Sequence, residues 1–517
     1  MRFFLLNVFI FLLFSGIYHH ALGQSKNPVR VELNANLDMD GYKLVPCKEN
    51  GILIFFESEN VGSSPDTRIW HFALYDKFMK QQWLADTALI GGAKFQGYGS
   101  DDRNTYLFFL DNDKIRSEYN MQILKVDYTL NEFKLINVLV PDKSEPVHFE
   151  IVQGKAIVAL NNSTFTPRIA FINLADGSIK IAKPELEGLN IIQEVQYDTY
   201  DMELHIVVDN YLGKKKNALM ILNVSVDGSI KQTYTVKPVL DNKVLNEARM
   251  SFSGKDTLLA MGTYHHEVSK MSTNDEESRP ESAGYFVAKF INDKQVFINY
   301  FNFLEFEEMF RSLSSKTMAD LRKKAEKQKN KGEEYSLDYT LLLHDIIVSD
   351  SSFTLLSEAY YPEYRTVTNM YYDYYGRPIP QTYTVFDGYK YISGIAASFT
   401  EDGELLWDNG IEIRDVITFN LTKYVGSYTS NEELALFYSN ENKINYKIVG
   451  PEYGGGASQS ISLEKKYKGD KVMEDLGSRM IHWYDHYFIC YGYQKIKNNR
   501  IAGGKRTIFY FSKLAFN

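Results

Sequence analysis

The chain has 517 residues and a formal net charge of -9, with 37 Tyr and 33 Phe but only two Cys. Its acidic balance supplies no general attraction for nucleic acid, and so few cysteines exclude a disulfide-dense scaffold. Abundant Tyr and Phe suit strands, so a β-rich chain with aromatic surfaces is expected.

Residues 1–23, MRFFLLNVFIFLLFSGIYHHALG, combine Arg2, a long apolar core and the ending Ala21-Leu22-Gly23. This is the pattern of a secretory signal, with cleavage expected before Gln24. No later apolar run approaches the roughly 20 residues of a membrane helix, so no membrane span is expected after cleavage. The chain is therefore read as exported, to the periplasm or beyond the cell.

Residues 24–517 read as one domain built on a recurring unit. TRIWHFALYDKFMKQQWLAD turns near Phe78, and NMQILKVDYTLNEFKLINVLV turns near Asn131. PRIAFINLADGSIKIAKPEL turns at Asp176-Gly177, NALMILNVSVDGSIKQTYTV at Asp227-Gly228, and AASFTEDGELLWDNG at Asp402-Gly403. Aspartate caps its own backbone and glycine accepts positive φ, which suits a hairpin turn. Each unit is preceded by a further apolar strand, such as NTYLFFLD or MELHIVVDN. An all-β period of roughly 50 residues is the mark of propeller blades. The spacing predicts seven or eight blades, with tandem β-sandwiches as the alternative. Cys47 precedes the first clear blade strand and Cys490 lies near the end, so a disulfide between them would clasp a closed ring; two buried thiols fit equally.

Two segments interrupt the repeat. In residues 303–334, Phe306, Met309, Phe310, Leu313, Met318 and Leu321 mark helical spacing before a lysine-rich polar end, predicting a helical insertion. Residues 360–391 carry YYDYYGRPIPQTYTVF. Proline removes ladder donors, so this insert is read as an extended loop or a long hairpin. Its Tyr371, Tyr372, Tyr374, Tyr375 and Tyr383 are the candidate partner-binding residues, because tyrosine combines broad contact area with a hydroxyl.

Chemistry-bearing motifs are scarce. No HExxH, clustered Cys/His, G-x-S-x-G or G-x-G-x-x-G occurs, so neither a metal nor a cofactor is expected. In HWYDHYF, His482, Tyr484 and His486 would share one face of a strand, although a structural rim accounts for them as well. Carboxylates are plentiful, and a pair converging in a propeller channel would suit a carbohydrate-active enzyme. Against that alternative stands a non-catalytic scaffold that binds a protein partner, which the missing catalytic motifs favour.

FLLFSGIYHHALGQ, HDIIVSDSSFTLLSEAYYPEYR and YYDYYG resemble a group of exported proteins of Bacteroidota. The group includes the plug component of the type IX secretion translocon. That resemblance implies a periplasmic propeller that meets an outer-membrane β-barrel translocon.

Overall fold

The computed structural model describes residues 29–515 apart from 37–40, 62–65, 112–117, 142–143, 213–216, 241, 267–280, most of 310–336, 351, 431–432, 452–455 and 501–503. The expected signal segment lies outside these residues. Among the described residues, strands form eight antiparallel sheets, seven of them four-stranded. In chain order they span residues 43–90, 93–141, 144–182, 189–236, 243–302, 340–418, 426–462 and 471–515, and are called sheets 1 to 8. Two short strands widen sheet 6, and Arg30–Asn34 completes sheet 8. Among the described residues no helix is long and apolar enough to cross a membrane.

Burial explains the strand sequences. The second strand of sheet 2, Asn104–Asp111, is buried at every position, because its sheet is covered on both faces. The outer strand Gln81–Ile90 alternates between covered and exposed residues. Eight apolar clusters fill the spaces between successive sheets. One of them, containing Leu44, Ile54, Phe509 and Phe511, joins sheet 8 to sheet 1. First strands of neighbouring sheets also touch, as 144–152 does with 93–100 and 189–198, so these strands lie innermost. This is a β-propeller-like arrangement, in which every sheet packs against two neighbours.

The hairpin turns follow the expected chemistry. Gly177, Gly228 and Gly403 have φ of 76°, 83° and 74°, which glycine adopts without a Cβ penalty. Asp227 Oδ1 accepts from the Ser229 N–H at 2.9 Å, and the Ser225 and Ser229 hydroxyls help hold its carboxyl down at about 2. Lys289 on sheet 5 reaches Glu401 beside the Asp402-Gly403 turn at 2.9 Å, tying one sheet's turn to its neighbour.

Of the two readings of the cysteines, the structure has the buried thiols and not the clasping disulfide. Cys47 and Cys490 are free and buried. Cys47 sits between sheets 1 and 2, and Cys490 between sheets 7 and 8, so sheet 8 and sheet 1 are not joined through sulfur. Closure comes instead from Arg30–Asn34, which pairs with 508–512. The HWYDHYF expectation is also corrected. Its strand ends at Tyr484, and Asp485 turns the chain with φ 46°. His482 and His486 therefore do not share a strand face. Of the predicted helical insertion, Phe303–Glu305 forms a 3-10 turn. Ala319, Lys323, Glu326 and Lys327 are helical, and most of the remainder lies outside the described residues.

Candidate interaction site

The tyrosine-rich insert is a two-stranded ribbon. Phe353–Tyr372 leaves sheet 6 and Pro378–Phe399 returns. At its base Tyr360 pairs with Tyr391. There Tyr391 is buried, and its hydroxyl donates to the Thr422 carbonyl at 2.5 Å. Beyond Tyr361 and Gly388 the two strands pair only with each other. At strand rise, twelve residues carry the tip roughly 40 Å from the sheet.

The turn explains why the ribbon holds its register. Asp373 Oδ1 accepts from the N–H of Tyr375 at 2.8 Å and of Arg377 at 2.7 Å, while Gly376 takes φ 72°. The Asp373 N–H donates to the Arg377 carbonyl at 2.9 Å. Antiparallel partners alternate between hydrogen-bonded and open pairs. From that turn, Tyr371–Ile379 is hydrogen-bonded, and Tyr372–Pro378 and Met370–Pro380 are open pairs. The main-chain groups of open pairs face outward. Pro378 and Pro380 thus remove outward donors from the returning strand, whereas Thr368, Met370 and Tyr372 keep theirs on the outgoing strand. Proline within a run is tolerated here because each ribbon strand is an edge.

The structure places all five predicted tyrosines at the outer part of this ribbon. Tyr374 is 97% and Tyr375 80% exposed at the turn, and Tyr371, Tyr372 and Tyr383 are exposed along the strands. Tyr371 and Tyr383 share one face with Val367 and Ile379, and Tyr372 stands on the other with Met370. Asn369 Nδ2 donates to the Tyr383 hydroxyl at 3.1 Å. Residues 366–384 contain only Asp373 and Arg377 as charged groups, and Asp373 is committed to the turn. The tip is therefore a neutral aromatic surface on a two-stranded ribbon with little internal core.

Sequence reasoning missed a second constellation, on the first strands of sheets 4 and 5 and on the second strand and loops of sheet 6. Arg249 on sheet 5 donates to Glu247 Oε1 at 2.7 Å and to the Leu343 carbonyl at 3.2 Å. Glu194 on sheet 4 accepts from the Met250 N–H at 3.0 Å. Burial pushes its carboxyl up to about 8, with Arg249 pulling the other way. Lys423 donates to Asp345 at 2.8 Å. Burial alone would raise the Asp345 carboxyl, but Lys423, Arg249 and His344 together outweigh it, leaving it below its ordinary value. Glu358 Oε1 contacts His344 Nε2 at 2.6 Å and accepts from the N–H groups of Tyr424 and Val425. These carboxylates are engaged by cations or main-chain donors. The available signal was a charged residue inside an otherwise inner-strand pattern, as in NIIQEVQYD and LNEARMSF.

Both thiols are held in the interior. Cys47 accepts from Thr105 Oγ1 at 3.8 Å, and Cys490 lies 3.2 Å from Ser439 Oγ. Burial pushes each up to about 11. The thiolate is the reactive species, so the native protein at pH 8 is expected to resist a colorimetric thiol reagent. Two equivalents should react after denaturation; rapid reaction of the native chain at either site would contradict this environment.

No protein-family model matches the chain, and no curated protein matches its sequence. Solved structures give distant likenesses. The WD40 domain of SCAP from fission yeast has 7% identity and a TM-score of 0.43, covering 95% of this chain and 98% of that domain. The β-propeller domain of the Trilobed protease from Pyrococcus furiosus has 10% identity and a TM-score of 0.35, covering 83% and 96%. The Nup133 β-propeller domain of Vanderwaltozyma polyspora has 10% identity and a TM-score of 0.36, covering 82% and 100%.

Proposed function

We propose that the chain is an eight-bladed, non-catalytic scaffold whose tyrosine ribbon binds a protein partner. The observation that carries this reading is the neutral aromatic tip, held outside the sheets on a register fixed by Asp373. Tyrosine clusters of this kind supply binding energy where a partner desolvates them. The open edge of the outgoing strand adds main-chain groups that an extended partner segment can pair with. The finer reading, from the resemblance of residues 11–24, 344–365 and 371–376, is a periplasmic accessory or plug subunit of an outer-membrane translocon.

A photoreactive amino acid at Tyr374 tests this in the source cell. The expected product is one discrete protein adduct, identified by mass spectrometry. Changing Tyr371, Tyr372, Tyr374 and Tyr375 together to Ser should reduce recovery of that partner by about a hundredfold or more. Melting should stay unchanged, because these side chains do not pack in the core. Unchanged recovery would sink the ribbon as the contact. An adduct with a soluble protein would keep the scaffold reading and remove the translocon.

A further inference from the structure

We propose that two copies of this chain pair through the outgoing strand of the tyrosine ribbon, forming a four-stranded sheet about a two-fold axis at Thr368. The inference rests on the ribbon being an interaction site and names the partner of its edge. The tyrosine faces stay open to another protein.

The two edges of the ribbon are unequal. On the outgoing strand, Thr340–Leu343 covers the edge up to Tyr360, and Pro362 lacks an N–H. From there to the turn, the alternation that leaves Met370 and Tyr372 facing outward also leaves Tyr364, Thr366 and Thr368 outward, opposite Phe386, Thr384 and Thr382. All five are exposed, and each carries a main-chain donor and acceptor. On the returning strand, Pro378 and Pro380 bar the outer end. Ile417–Thr418 occupies the body end at Tyr389 and Lys390, which leaves only 382–386 open between them. A long open edge is a template for another strand. With one such edge on each ribbon, association ends at two copies and does not run on as a filament.

The outgoing edge is its own complement. Identical edges meet antiparallel. The five outward residues are all paired in one register, in which Thr368 faces Thr368 of the second copy. Thr366 then stands opposite Met370, and Tyr364 opposite Tyr372, each twice. Aromatic pairs and threonine pairs are favourable across strands. Within one ribbon Thr368 Oγ1 already lies 3.2 Å from Thr382 Oγ1, so the centre of the sheet becomes a row of four threonines.

Charge fits the same register. Arg365 is the one charged residue in 364–372. It is balanced by Asp387 at 3.2 Å and falls opposite Tyr371 of the second copy. At the ends of the overlap Glu363 nears Asp373, and each is already engaged, Glu363 by Lys390 at 3.6 Å and Asp373 by the turn N–H groups. Tyr375 at one tip comes level with the exposed Tyr361 at the base of the other ribbon, so the overlap uses the whole ribbon. On the face away from the threonine row, Tyr371 and Tyr383 of both copies lie on one sheet, which doubles the aromatic surface offered to a further partner.

Sedimentation of the full chain between about 1 and 100 μM tests this. The mass should rise from one chain toward two across that range. Thr368→Pro with Met370→Pro repeats on the outgoing edge what Pro378 and Pro380 do on the returning one. Those outward N–H groups make no bond within the ribbon, so this variant should keep its melting temperature. Its dissociation constant should rise by about tenfold or more. Should the double variant fail to fold, a single cysteine decides the matter. Thr368→Cys faces itself across the axis at a Cα separation of about 5.5 Å, within the roughly 4.4–6.8 Å of a disulfide. Mild oxidation should join two copies of it covalently. Thr382→Cys stands about 14 Å from its counterpart and should not be joined. A chain that stays single at about 100 μM, growth beyond two copies, or equal cross-linking of the two cysteine variants would overturn the proposal. A single chain that still gives the Tyr374 adduct with another protein would remove the second copy and keep the ribbon as a binding site. A pair of chains with no such adduct would keep the second copy alone.

Discussion

Deletion of residues 29–36 is expected to lower the melting temperature by roughly 10 °C or more. The strand Arg30–Asn34 is the outer member of sheet 8, paired in register from Arg30–Ser512 to Asn34–Ile508. Val31 and Leu33 are partly buried against the cluster that joins sheets 8 and 1, and partial burial of such side chains contributes about 1 kcal/mol each, below the roughly 1.5–3 kcal/mol of full burial. Glu32 is held by Arg30 at 3.0 Å and by Arg506 at 3.1 Å, with its side chain 4% exposed. The Arg30 guanidinium lies over the Tyr510 ring at 4.2 Å. Net loss of several kcal/mol is comparable with the whole stability of an ordinary domain, about 5–15 kcal/mol. The bared edge of Lys505–Ala515 would also become a template for aggregation. Adding a synthetic peptide of residues 29–36 should recover part of the lost melting temperature. A truncated chain that melts like the full one would show that closure does not depend on this strand.

The sequence made the repeat legible because its hairpin turns are chemically explicit. Asp176-Gly177, Asp227-Gly228 and Asp402-Gly403 announce positive φ and self-capping, and flanking apolar alternation supplies the strands. The closing device was not legible, since RVELN has no turn signal and its partners lie more than 470 residues away. Cysteine position left a clasping disulfide and two buried thiols equally open; only packing shows that Cys47 and Cys490 enter different inter-sheet spaces. The ribbon tyrosines stood out by composition, whereas its proline-guarded edge required the Asp373 register.

Replacing Arg249 by Met should cost about 3–5 kcal/mol at pH 8 and less at pH 5. Arg249 is buried and serves Glu247 at 2.7 Å, while also lowering the raised Glu194 carboxyl. In the native protein Glu194 titrates near 8, far above its ordinary unfolded value of about 4.3. Between those values the folded state binds more protons than the unfolded state, so this group's stabilising contribution is present in acid and is lost as pH rises toward 8. Removing Arg249 takes away the neighbour that favours the charged form, so Glu194 should hold its proton to still higher pH. The Glu247 carboxylate loses its guanidinium partner at both pH values. The variant should therefore show a steeper loss of stability from pH 5 to pH 9 than the native chain. Glu194→Gln, which cannot ionise, should flatten that loss in either background. Denaturant unfolding measured across this range decides the matter: parallel pH profiles for the native chain, Arg249→Met and Glu194→Gln would show that these inner-strand charges do not interact.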